Sequence, residues 1–427
     1  MNRLWWGLPG PRRFISQITQ DLRDGKNVLV WLPEYCLPAN DVGELEQALR
    51  AALADDTVGT WTPLVLEDDQ QADPPESILW NNFGSGAFPG LLRTLDTLMT
   101  ADRFMGRVVC LQNVGPIAWI EWARFLADYQ HRCQTIGLLG RTVFCIAFNA
   151  AHVPSHDVPP EDTCLVHRYW QRVVERLDML LYASYLVSDN LNSYLERQIA
   201  ISVIANLAQW DPIVCEYLAQ EELDTLLAPH SLLCNIAASR GWHPDAGLCA
   251  ATLWLKEIEE APDAIDLWYR GGRSGVRAPE SWSRGLVDVV DGQKKLHSAA
   301  LAGRDTKEEI SRRIWSGQVR ELLPFVEEVR QRLLSSLGSA LIAPHCVRRD
   351  DKVVAVIDRR DDLEIGHIAN QLALARNKTI AAETKRLSQH LAVIRNKVAH
   401  SEQIDAHMLQ CEQMTDLFIE RAVMRQQ

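Results

Sequence analysis

Residues 391–405 read LAVIRNKVAHSEQID. Taken as a helix, they set Leu391, Ile394 and Val398 in one apolar stripe at i, i+3 and i+7. Against that stripe stand Arg395, Asn396 and His400, polar groups for which a core has no use. Asn396 and His400 are four residues apart and share a face, where an amide can fix an imidazole's tautomer and tilt. Arg395 lies about 140° round from His400, at about 100° per residue. Its long side chain, or a second copy of the helix, is needed to bring guanidinium and imidazole to one point. Ala399 is small enough to let another backbone approach. The competing reading is plainer: an Arg and a His near a helix end complement the helix dipole and face water.

The run Arg395-Asn396-Lys397-Val398-Ala399-His400 resembles the Arg, polar residue, spacer, His signature of HEPN domains, small helical bundles many of which are RNases. The Ala-His ending and the polar residue after the arginine resemble the subset found in defence and toxin loci. The resemblance is confined to the C-terminal end of the chain. The helical pattern around it agrees: residues 309–337 carry Ile310, Ile314, Leu322, Val326, Val329 and Leu333, followed by helices predicted over 365–374, 379–394 and 404–425. Four helices with the signature late in the third is the arrangement such a bundle requires. Residues 344–361 are the least helical part, and Lys352 to Asp358 read as a short strand or extended loop. Glu364 and His367 precede the signature on an amphipathic turn that can line the same face.

RNA carries its own nucleophile, the 2′-hydroxyl beside the scissile phosphate, so cleavage of the kind this resemblance implies needs no metal and no cofactor. It needs a group near neutral pKa to move protons and a fixed cation for the charge on the equatorial oxygens. The resemblance assigns these roles to His400 and Arg395, with Asn396 orienting His400 or binding a phosphate oxygen. It implies RNA as substrate and a homodimer through the C-terminal bundle, or docking on another defence-system protein.

Working outward, the chain has 427 residues, 47% apolar and 23% charged, which suits two or three globular domains. The longest apolar runs fall short of a membrane span, and the first residues contain no apolar stretch long enough for a secretory signal. Ten cysteines show neither a CxxC pair nor a Cys/His cluster at metal spacing, so they read as reduced thiols and the expected location is cytoplasmic. A formal net charge of −12 makes any RNA contact local. The 14 tryptophans read mainly as core and interface groups.

The N-terminus runs Leu4-Trp5-Trp6, then GLPGP, then an amphipathic segment from Arg12 to Arg23, then NVLVWLP. That order predicts strand, Gly/Pro loop, helix and strand. It resembles the opening of a P-loop NTPase of AAA or STAND type without its chemistry. Gly7 and Gly10 stand in the loop, but Arg12, Arg13 and Phe14 replace the Gly-Lys-Thr that would hold phosphate and magnesium. Buried strands are predicted over 107–112 and 142–148, ending in Gln112-Asn113 and Asn149 where an acidic residue and a sensor would stand. ATP hydrolysis is therefore not expected. Gly7, Gly10, Arg12 and Arg13 are candidate nucleotide contacts because a helix N-terminus attracts anions; an ordinary turn is the alternative.

From Cys164 to Ala261 the pattern reads as helical almost throughout, with Asp211 before Pro212 as a cap. His167, His230 and His243 have no ligand partners at metal spacing. A Gly/Arg-rich break follows, in which Arg270, Arg273 and Arg277 either contact a nucleic-acid backbone or keep a linker soluble. The expected fold class is multidomain: an α/β P-loop-like sheet domain (residues 1–155), an all-α helical adaptor (160–300) and an α-helical HEPN-like bundle (305–427). Two functions compete. One is a metal-independent RNA endonuclease, a toxin or effector of prokaryotic defence whose ATPase-like domain is a non-hydrolysing sensor or docking platform. The other is a non-catalytic scaffold subunit of a defence complex.

Overall fold

The computed structural model describes residues 3–54, 59–84, 93–152, 158–188, 193–242, 279–303, 307–349, 352–374 and 381–424. The chain forms two compact units from interleaved segments. The first holds Met1–Asp178, Gln209–Ile213 and Gly241–His297, and the second holds Met179–Ala208, Val214–Arg240 and Ser298–Gln427. Residues 160–300 therefore contribute to both.

The first unit is built on a five-stranded parallel sheet in the order β2-β3-β4-β1-β5. Its strands are β1 (Asn27–Leu32), β2 (Thr60–Val65), β3 (Arg107–Gln112), β4 (Val143–Asn149) and β5 (Leu165–Tyr169). Every residue of β1 is buried, as a parallel strand covered on both faces requires. Asn27 ties its start to both neighbours: Nδ2 donates to Cys164 O (3.0 Å) and Oδ1 accepts from the Phe144 amide (3.0 Å). β2 is an edge strand, which is why Pro63 is tolerated within it.

Three expectations for this unit are corrected. Leu4, Trp5 and Trp6 lie in a short helix, α1 (Arg3–Gly7), and not in a strand. Trp5 and Trp6 are buried against Trp170, a helix-compatible use of an apolar triplet that periodicity cannot tell from a strand. Among the described residues the Gly/Pro stretch thus follows a helix, α1, and leads into a second helix, α2 (Pro9–Arg23). Residues 165–169, read as helical, form the strand β5 beside β1; and Val287–Val290 with Gln293–Leu296 form a hairpin, β6–β7, in the region expected to be all helical.

In the second unit a 31-residue helix with Pro324 inside it, α4 (Lys307–Leu337), packs on α3 (Tyr194–Ala208). Gly317 makes the crossing close: a Cβ there would lie 2.9 Å from the Cα of Val203. An antiparallel hairpin, β8 (His345–Arg349) and β9 (Lys352–Ile357), leads to α5 (Ile365–Leu374) and α6 (Ala382–Ala399). Leu391, Ile394 and Val398 are fully buried, so the apolar stripe is the core face of α6. The single helix expected over 404–425 is instead two pieces, Ala406–Leu409 and α7 (Asp416–Met424). Each restarts at its own cap: Asp405 Oδ1 accepts from Met408 N (2.8 Å), and Thr415 Oγ1 from Phe418 N (3.3 Å). Among the described residues no helix is long and apolar enough to cross a membrane.

Candidate active site

The C-terminal end of α6 carries the motif. His400 is its C-cap, exposed, and the helix closes on a left-handed Ser401 (φ 61°). The Glu402 amide returns to Lys397 O (2.9 Å) and the Ser401 amide to Val398 O (3.1 Å), the paired bonds of a Schellman ending. Two residues of α4 hold this ending in place. Trp315 Nε1 donates to Val398 O (2.9 Å). Gln318, fully buried, clamps Ile404 from both sides, Nε2 to its carbonyl (2.6 Å) and Oε1 from its amide (2.9 Å).

Arg395 is half-buried, and its guanidinium is engaged on the α5 side. Nη2 lies 2.7 Å from Oε2 of Glu364, and Nη1 is 3.4 Å from Oδ1 of Asn396. The His400 amide donates to Asn396 O (3.0 Å) as part of the helix ending, but among the described residues no side-chain hydrogen bond joins Arg395 or Asn396 to His400. The Asn396 side-chain amide thus contacts the arginine and not the imidazole of His400.

Glu364 immediately precedes α5, and its amide donates to Nδ1 of His367 (3.1 Å). The His367 ring lies 5.5 Å from that of His345 on β8, at 53° between planes. Partial burial lowers the His367 pKa from its usual value; Glu364 opposes the shift, while His345 and Arg395 reinforce it. Two further contacts hold these groups in position. Arg330 of α4, ion-paired to Glu327, donates to Asp361 O (2.9 Å) and Leu363 O (2.8 Å) and fixes the turn before Glu364. Gln371 of α5 clamps Ile342, accepting from its amide (2.8 Å) and donating to its carbonyl (3.0 Å), which holds the entry to His345 against α5. Neither clamp was read from the sequence. The available signal was a glutamine within an otherwise amphipathic helix, a weak one because the partner is a backbone group far along the chain.

The N-terminal candidates fall elsewhere. Gly7 ends α1 in open space, and Arg12 and Arg13 are exposed. Gly10 is a packing glycine: a Cβ there would meet Val173 O at 1.9 Å. Its amide at the start of α2 donates to the buried carboxylate of Asp178 (2.9 Å). The helix end that would attract a phosphate already faces an anion.

After β1 the chain enters another helix, Val42–Leu53, capped by Asp41, whose Oδ1 accepts from Gly43 N (2.8 Å). Asp41, Glu46, Gln112, Asn113 and Asn149 line a cleft of about 530 Å³ at the carboxyl ends of the strands, and among the described residues no Lys or Arg lines it. Its carboxylates disfavour a polyphosphate. Arg270, Arg273, Arg277 and His243 lie outside the described residues.

His167 is a core histidine, with Nδ1 3.1 Å from Tyr169 Oη and Nε2 3.0 Å from Pro159 O. A buried pair that the sequence did not suggest, His297 and Asp211 (3.1 Å), sits against Trp210 and Trp242, closed to solvent. Asp211 also caps the following helix as expected, accepting from Ile213 N (2.9 Å). Among the described residues no group of three or more His, Cys, Asp or Glu is placed to hold a metal ion.

Compared with protein-family models and with curated proteins, the chain matches none of them.

Proposed function

We propose that the C-terminal bundle is a metal-independent RNA endonuclease of HEPN type, acting as an effector in prokaryotic defence, with RNA as substrate and a second copy of the bundle, or another defence protein, as partner. One observation carries this reading. A guanidinium, Arg395, is held at the surface by Glu364, within electrostatic reach of His367 and five residues before an exposed histidine that ends the same helix. A packed core has no need of that arrangement.

In this mechanism the 2′-oxygen attacks phosphorus and the bond to the 5′-oxygen breaks, leaving a 2′,3′-cyclic phosphate. An imidazole takes the 2′-hydroxyl proton, another proton reaches the 5′-oxygen, and Arg395 stabilises charge on the non-bridging oxygens. The parallel-sheet unit, with carboxylates around its cleft and a helix leading into its Gly/Pro stretch, suits a non-hydrolysing sensor or docking platform. The experiment is RNA cleavage in EDTA by the purified protein. His400→Ala and Arg395→Ala are each expected to lose on the order of 10²-fold or more, and equal cutting by wild type and His400→Ala rejects the assignment.

A second reading, a non-catalytic scaffold, is favoured by the Glu364 carboxylate, which occupies the arginine where a phosphate would bind. It predicts no cleavage by any variant.

A further inference from the structure

We propose that His345 and His367 belong, with Arg395, to a phosphate-handling site complete within one chain, in which Glu364 holds the arginine until a phosphate displaces it. This rests on the nuclease reading for its chemistry, but the site itself stands on geometry. Three elements converge: β8 supplies His345, the start of α5 supplies Glu364 and His367, and the end of α6 supplies Arg395. The ring centroids lie 5.5 Å apart, close enough for one anion to contact the edges of both imidazoles.

The two imidazoles have different work. His367 accepts the Glu364 amide at Nδ1, so its neutral ring carries the proton on Nε2. Burial, His345 and Arg395 keep that ring neutral against the pull of Glu364. His367 is therefore an uncharged donor to a non-bridging oxygen, the use of a neutral imidazole that a nearby helix N-terminus favours. It cannot serve as the base through Nδ1, which is occupied. His345 is the second imidazole and, in addition to His400, a further group placed to exchange a proton with a ribose or leaving oxygen. Because Glu364 and the incoming phosphate compete for one guanidinium, removing the carboxylate tightens anion binding.

The test uses the full chain with ring-labelled histidine and inorganic phosphate as the probe, resonances being assigned with His345→Asn and His367→Asn. Phosphate is expected to shift both resonances saturably. Arg395→Ala abolishes the shift and His400→Ala leaves it. Glu364→Gln tightens binding roughly three-fold, the size of a surface ion pair. Absence of a phosphate-dependent shift in wild type overturns the proposal.

RNA cleavage separates it from the nuclease reading. Loss of about 10²-fold in each asparagine variant, with folding unchanged by circular dichroism, supports it. If wild type cuts RNA and both asparagine variants cut equally well, the proposal fails and the nuclease reading stands. If phosphate shifts the histidines but no RNA is cut, the anion site stands and the nuclease reading falls. Lys397→Ala, whose ammonium faces Glu402 at 3.7 Å, is the control and changes neither readout.

Discussion

The backbone amide of Glu364 donates to Nδ1 of His367 at 3.1 Å, so that nitrogen cannot take up a proton while the bond is kept. Protonating Nδ1 would set two N–H groups against each other. Burial is the main cause that places the folded pKa below the reference 6.5, with His345 and Arg395 reinforcing it against the pull of Glu364. Between the folded midpoint and 6.5 the unfolded chain binds more protons, so stability falls as pH falls through that window and is unaffected above it. The His367 imidazole is expected to titrate below 6.5 by NMR. His367→Asn is expected to lose less urea stability than wild type between about pH 7 and about pH 5.

Asp288 shows the opposite sign. It is fully buried, and its pKa is raised to about 7 from 3.8, chiefly by desolvation, although Arg172 N and Val289 N both donate to its Oδ1. Its contribution is complete below pH 3.8 and is lost as pH rises through about 7. Asp288→Asn retains the acceptor without the charge. The variant is expected to exceed wild type by at least about 1 kcal/mol at about pH 8 and to match it in acid, measured by denaturant unfolding.

Gln318 satisfies both backbone groups of the buried Ile404. Gln318→Ala leaves an amide and a carbonyl unpaired in the interior and is expected to cost about 2–4 kcal/mol. Gln371→Ala breaks a clamp that solvent can replace, so its cost in unfolding free energy is expected to stay below about 1 kcal/mol. Its effect should appear instead as broadening of the His345 resonance.

The two loop glycines should separate cleanly. Gly10→Ala drives a methyl into Val173 O and is expected to destabilise the protein by on the order of 2–3 kcal/mol. Gly7→Ala meets nothing within 4 Å and should lie within about 0.5 kcal/mol of wild type. ATP and ADP are expected to leave the thermal midpoint of wild type unchanged; a saturable rise would show that the α2 N-terminus accepts phosphate despite Asp178.

What the sequence by itself determined is what repeats at short range. The apolar stripe of Leu391, Ile394 and Val398, the buried strands β3 and β4, the extended run at 352–357 and the cap at Asp211 all follow from periodicity or turn chemistry within a few residues. Where the local signal was degenerate, the reading failed. Leu4-Trp5-Trp6 is apolar enough for helix or strand, β5 is too short to show a period, and Asp405 and Thr415 break a run that composition left continuous.

The tertiary structure alone decided the partners: Glu364 on Arg395, His345 beside His367, Asp178 on the Gly10 amide and Gln318 on Ile404. Each of these pairs joins segments that no helical or strand period connects. Side-chain patterning can say which face of an element turns inward; which group it meets there depends on how separate elements pack.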